Sequence, residues 1–335
     1  MRYKVINKIQ AGDILGRTLI DNKGNILVKS GNTLTEKMLN RIKDFNYGGL
    51  YIDDEISKDI QIEDLIPFDL KLKTFKALQA DNYELCVSLA KQFVSELINK
   101  DSLAINIIDI KNTENYTLNH SIQVCIDSII LGISYGLDER ELDNLAVAAL
   151  LADIGKKEIP LEILHKTDKL SEEEMKIVQQ HPKIAFEKLK VYPCISPISR
   201  NAILFSHENL DGSGYYQRKD KDITIYSKII HCADTFDALT SVRRYRPAFS
   251  IKEASELLMG SSNRFDMKLL GLVSQLFPIY PIGLTVKLSN GETAVIVTNE
   301  HNNIRPIIRV IETNNLIDLS DNINYRNVVI QDIDR

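Results

Sequence analysis

The chain has 335 residues, 44% apolar and 26% charged, ordinary values for a globular protein with room for two or three domains. Its 41 basic and 46 acidic residues leave a net charge of −5, which excludes a general binder of extended nucleic acid and requires any anionic ligand to meet local positive charge. The four scattered cysteines form no CxxC pair and read as reduced thiols; with no signal-peptide pattern and no membrane-length apolar run, a cytoplasmic protein without a membrane span is expected.

Residues 1–55 read as a small β-rich (α+β) domain. "RTLIDNKGNILV" sets two β-prone runs about an Asn-Lys-Gly turn, a hairpin pattern. "TEKMLNRIKDF" follows as an amphipathic helix with Thr35 as its N-cap and Met38, Leu39, Ile42 and Phe45 on one face. "YGGLYIDDE" then gives a turn and a short strand.

From about 56 to 278 apolar residues recur at three- and four-residue intervals, as in Ile122, Cys125, Ile129 and Ile133, so the fold class is mainly α. Residues 56–104 form a helical linker region and 105–278 the main helical domain. Prolines in "FPIYPIGL" mark the next change. Residues 279–312 form a C-terminal β extension, with "LTVKLSNGETAVIVT" as a hairpin about Asn-Gly and "RPIIRVIET" as a third strand. The polar tail, 313–335, is expected to be partly disordered.

Five potential metal ligands punctuate the helical region: His120, Asp153, His181, His207 and Asp234, separated by 33, 28, 26 and 27 residues, each about a long helix or a helix pair. Singly, each histidine has an ordinary reading as a partly buried side chain with one hydrogen bond, and each aspartate as a cap or solvated charge. Their local strings are more specific. "NYTLNHSIQV", "LLADIGK", "QQHPKIAFEKL", "FSHENLDGSGYY" and "CADTFDALTSVRRYR" occur in this order.

Over roughly residues 105–275 these strings resemble the HD-GYP family of cyclic di-GMP phosphodiesterases, a branch of the HD superfamily, and the β-rich flanks are also similar to those of the family. The resemblance implies an HD-type helical bundle holding divalent metal, iron or manganese. Asp153 would bridge two ions, His120 and Asp234 would complete one, and His181 and His207 the other. Cleaving a phosphodiester needs a hydroxide at neutral pH and neutralisation of phosphate charge, and two ions about 3.5–4 Å apart supply both. Lys156, three residues after Asp153 and on the same face of a helical turn, would meet the scissile phosphate. Arg243 and Arg246 would reach guanine or phosphate groups, and Tyr215 would hydrogen-bond or stack on the ligand. Solvated side chains, or a packing role for the tyrosine, are the ordinary alternatives.

The sequence departs from the family at two ligand positions. Ala152 stands where a histidine precedes the aspartate, and Ser206 where the first of two histidines stands. Alanine ligates nothing and serine is a weak neutral ligand, so a single ion, or none, becomes an alternative to two. "GYY" also replaces Gly-Tyr-Pro. Glu208 has two readings, an orienter of an imidazole or water and a surface carboxylate; Gly212 and Gly214 are assigned to the loop backbone, and His165, His231 and His301 to structural or exposed roles.

The leading expectation is a protein that recognises cyclic di-GMP or a related cyclic dinucleotide, with hydrolysis weak or lost. The alternative is an active metal-dependent cyclic di-GMP phosphodiesterase. A second alternative is a scaffold with a vestigial pocket that binds protein partners through its terminal domains. Helical domains of this kind also pair, so a homodimer belongs to the expectation.

Overall fold

The computed structural model describes every residue except 22, 46, 101–102, 104–115, 167, 242–248, 301, 322 and 334–335. The described chain divides into two compact units, one of Met1–Asp64 with Phe277–Arg335 and one of Leu65–Leu103 with Tyr116–Leu276.

In the first unit, β1 (Arg2–Val5), β2 (Ile14–Leu15) and β5 (Gly49–Asp53) form an antiparallel sheet in the order β1-β5-β2, with Arg2 opposite Ile52 and Ile14 opposite Asp53. β3 (Leu19–Ile20) and β4 (Ile26–Val28) pair as the hairpin read from the sequence. Thr35 caps α1 (Glu36–Asp44), its hydroxyl accepting the Met38 amide at 3.3 Å. Leu39 and Ile42 of α1 bury against Leu15, Leu50 and Ile52, with Met38 and Phe45 at the margin.

The remainder of this unit is a five-stranded antiparallel sheet of β6 (Thr285–Leu288), β7 (Thr293–Thr298), β8 (Ile307–Val310), β9 (Leu316–Asp318) and β10 (Ile330–Ile333), in the order β10-β6-β7-β8-β9. The polar end of the chain, for which partial disorder is expected, thus supplies two strands. Arg305 anchors their connection by donating to the carbonyls of Leu319, Tyr325 and Val328. The two ends of the chain share a core in which Tyr51, Ile60 and Ile62 pack with Val295, and Arg309 forks onto Asp59.

The second unit is helical: α2 (Phe68–Gln79), α3 (Tyr83–Ile98), α4 (Tyr116–Tyr135), α5 (Glu139–Leu151), α6 (Leu161–Leu164), α7 (Glu172–Val178), α8 (His181–Leu189), α9 (Pro197–Leu204), α10 (Ile225–Thr240), α11 (Ile251–Gly260) and α12 (Met267–Leu276). Side-chain oxygens that compete with helical hydrogen bonding sit at the starts, where the first amides lack partners. Asp138–Glu141, Ser171–Glu174 and Ser250–Glu253 form reciprocal capping boxes on α5, α7 and α11. α5 lies at the centre, against α3, α4 and α9, and α10 packs on α4 and α9. Ala146, Ala148 and Ala149 are buried on α5 beside Leu142, Leu145 and Leu150, while α4 buries Ile122, Cys125, Ile129 and Ile130. None of the four cysteines is in a disulfide, and among the described residues no helix is long and apolar enough to cross a membrane.

Candidate metal centre

Five chain segments bring the predicted ligands together. His120 lies in the first turns of α4, Asp153 two residues beyond α5, His181 at the start of α8, His207 in the turn after α9, and Asp234 on α10. Their donor atoms form two groups, Asp153–His181–His207 and His120–Asp153–Asp234, within each of which all atoms lie within 4.8 Å of one another. Asp153 belongs to both. Its Oδ1 is 3.4 Å from His181 Nε2 and its Oδ2 is 3.6 Å from His120 Nε2. This nitrogen and oxygen donor set fits first-row divalent ions such as iron, manganese or zinc.

The local backbone explains how Asp153 reaches this position. α5 tightens past Ala152 into a 3-10 turn, Ile154–Glu158, and Asp153 sits at its entry with φ −95° and ψ 0°. Gly155 allows that turn to lie on α8, since a Cβ there would stand 2.0 Å from the His181 carbonyl oxygen. One turn on, Lys156 places Nζ 2.6 Å from Asp153 Oδ2.

His120 is buried and bonded at both ring nitrogens, Nδ1 with Asp237 Oδ2 at 2.5 Å and Nε2 with Asp234 Oδ1 at 2.8 Å. His181 Nδ1 donates to the Val178 carbonyl at 2.7 Å, and its Nε2 faces His207 Nε2 at 3.0 Å. Tyr215 stacks on the His207 ring at 4.9 Å and 22°. Asp237 was not among the predicted site residues. The signal available for it is its position three residues after Asp234, on the same face of one helix.

The charges are strongly interdependent. Burial alone would raise the Asp153 carboxyl, but the Lys156 ammonium, with His181 and His120, holds it well below the usual range. Burial likewise opposes ionisation of Asp234, and the His120 hydrogen bond with the nearby imidazoles reverses this and lowers it. Burial pulls His120 down, yet its Asp234 and Asp237 partners raise it to about 9. His207 is pushed down to about 3, chiefly by burial, and burial raises the Tyr215 phenol above its ordinary range.

Ala152 and Ser206 line the same cavity as His120, Asp153, His207 and Asp234. Ala152 supplies no donor, and the Ser206 hydroxyl bonds the Ile203 carbonyl at 2.9 Å. Glu208 is not a surface carboxylate: it is buried, and its two oxygens accept the Tyr216 and Arg218 amides at 2.6 Å each, closing the loop after His207. Gly214 serves the backbone of that loop, where a Cβ would lie 2.5 Å from Glu208 Cα. His231 stacks on Phe265 and bonds Asn209, and His165 is exposed. Arg243, Arg246 and His301 lie outside the described residues.

Residues 102–269 match the family model for the HD domain. The chain belongs to the HD domain family. All five strings that resemble HD-GYP proteins fall inside the matched residues. Among curated relatives, the cyclic di-GMP phosphodiesterase PA4108 of Pseudomonas aeruginosa is 27% identical over 62% of this chain and 51% of its own. The cyclic di-GMP phosphodiesterase PdeB of Borreliella burgdorferi is 30% identical over 65% of this chain and 58% of its own. The chain thus spans little more than half the length of these relatives. Among solved structures, Bd1817, an HDG"Y"P protein from Bdellovibrio bacteriovorus, superposes with a TM-score of 0.52 at 18% identity, covering 82% of this chain and 98% of that one, and so shares the fold.

Proposed function

We propose that this HD-domain protein holds divalent metal at the Asp153 centre and recognises cyclic di-GMP or a related cyclic dinucleotide, with hydrolysis weak or lost. One observation carries the reading: the five donors converge on two groups that share Asp153, while Ala152 and Ser206 line the same cavity and bring no ligand to it. The relatives' names supply the ligand class. Iron or manganese suits the mixed donor set. Bound there, such ions would neutralise charge at a phosphate and supply a nucleophile from water at neutral pH.

The chain's own residues then divide the work of recognition. Lys156, anchored on Asp153, offers an ammonium to a phosphate oxygen. Tyr215, packed on His207, forms an aromatic wall beside the cluster. Arg243 and Arg246 are proposed as guanine or phosphate contacts on sequence grounds alone. A receptor of this kind passes on its state by protein contact, through the β-rich unit or a second copy of the chain, and the same reading places it in the cytoplasm.

Active hydrolysis is the second reading, favoured by the three donors kept in each group, since three protein ligands are enough for a catalytic ion. Equilibrium dialysis of the full chain with cyclic di-GMP and Mn²⁺ tests recognition. Saturable binding that weakens about tenfold in Lys156→Gln or Arg243→Ala is expected, about 1.4 kcal/mol; absence of binding by the wild type would remove the proposal.

A further inference from the structure

His120 is held from behind by a group that belongs to neither cluster of donors. Its Nδ1 meets Asp237 Oδ2 at 2.5 Å, and Asp237 is buried on α10, one turn from Asp234. Ser241 Oγ, at 3.3 Å, steadies the same carboxylate oxygen. A carboxylate behind an imidazole keeps the proton on Nδ1, directs the Nε2 lone pair forward and makes the ring a stronger donor. Without an ion Nε2–H donates to Asp234 Oδ1 at 2.8 Å and lies 3.6 Å from Asp153 Oδ2; an ion that displaces this proton would meet the Nε2 lone pair beside the same two oxygens.

His181, on the other side of Asp153, is oriented differently. Its Nδ1 bonds the Val178 carbonyl, a neutral acceptor that fixes the ring without adding charge. The charges around the two positions are also unequal. His120, Asp153 and Asp234 bring two carboxylates with Asp237 as a third behind them, whereas Asp153, His181 and His207 bring one. Lys156 works against this asymmetry, because its ammonium rests on Asp153 Oδ2, the oxygen facing His120.

We infer that Asp237 is a positioning residue for His120, and that it makes the His120–Asp153–Asp234 position the tighter of the two for a divalent cation. This rests on the metal-binding reading above. Asp237→Asn is close to isosteric and can still accept from Nδ1, so it removes charge while largely preserving shape.

The test titrates chelator-stripped full chain with Mn²⁺, counting free ion by electron paramagnetic resonance. Wild type is expected to show a tighter and a weaker class of ion. Asp237→Asn is expected to weaken the tighter class about 10–100-fold and leave the weaker one unchanged, with partial recovery in Asp237→Glu. Identical isotherms for wild type and Asp237→Asn, or equal weakening of both classes, would overturn the inference and leave metal binding intact. A wild-type chain that binds no Mn²⁺ would overturn the metal reading and the inference together. A second measurement needs no variant: nitrogen-15 spectra of wild type loaded with Zn²⁺ should show His120 with its proton on Nδ1 and the ion on Nε2, and the reverse assignment contradicts the inference.

Discussion

His181 and His207 present their Nε2 atoms to each other across 3.0 Å, with Asp153 Oδ1 3.4 Å from the first of them. Two imidazole nitrogens each about 2.1 Å from one ion and at a right angle to each other lie about 3.0 Å apart, so this spacing suits a shared cation. His181 commits Nδ1 to Val178, which leaves Nε2 as the ring nitrogen facing the cluster. His207→Ala is therefore expected to weaken one class of bound Mn²⁺ by at least about tenfold and to spare the other, measured by equilibrium dialysis. Loss of both classes at once would contradict two positions sharing only Asp153.

Ala152 adjoins Asp153 and lines the cavity beside it. Restoring a ring nitrogen there should strengthen the centre: Ala152→His is predicted to raise Mn²⁺ affinity about 10–100-fold over wild type. Ser206→His is expected to add to the gain. Metal content after extensive dialysis checks this, and unchanged content in the double variant of a folded chain would show that these positions do not set ion affinity.

His120 and His207 give the metal-stripped protein opposite pH dependences. His120 is raised from about 6.5 to about 9, so between these values the folded chain keeps a proton that the unfolded chain has lost. Its contribution to stability is full below about pH 6.5 and disappears as pH rises through 9. His207 is lowered to about 3, so the unfolded chain takes up a proton below about pH 6.5 that the folded chain refuses, and stability falls as pH drops toward 3. The depressed Asp153 and Asp234 carboxyls add to the loss at the acid end. The urea midpoint in chelator should peak near pH 6.5 and fall on both sides; a midpoint constant from pH 6.5 to 9 would refute the environment assigned to His120.

Much of this centre is legible in the sequence because each candidate donor sits in its own recognisable string, and helix-length spacing lets neighbouring helices return their donors to one end of a bundle. Asp237 is harder to read. Its role depends on which ring nitrogen of His120 it faces, and those two residues are 117 positions apart. Glu208 is misleading for a related reason, since a carboxylate next to a ligand histidine looks like an orienting group, whereas its partners are backbone amides eight and ten residues on. Local patterning finds the terminal hairpins and α1, but the ion pair of Asp59 with Arg309 joins residues 250 apart that carry no mutual signal in a single sequence. The polarity of the C-terminal residues likewise conceals β9 and β10, which pair with β8 and β6 and whose connection is held by the backbone contacts of Arg305.

Glu208 gives a prediction about stability. Glu208→Ala leaves the Tyr216 and Arg218 amides without their acceptor, and a hydrogen bond to a charged group contributes about 1.5–3 kcal/mol. The variant should melt several degrees lower and be cut by protease between residues 209 and 219. An unchanged melting temperature and cleavage pattern would mean that Glu208 does not hold this loop.

The most direct measurement is the fate of the nucleotide in a single turnover. Protein in excess over cyclic di-GMP is incubated anaerobically with Fe²⁺ or Mn²⁺, and bound and free nucleotides are recovered and separated. The nucleotide should be retained by the protein and recovered intact, with retention reduced in Lys156→Gln. Stoichiometric linear product, absent in Asp153→Ala, would show that the five donors sustain hydrolysis despite Ala152 and Ser206, and would contradict the account.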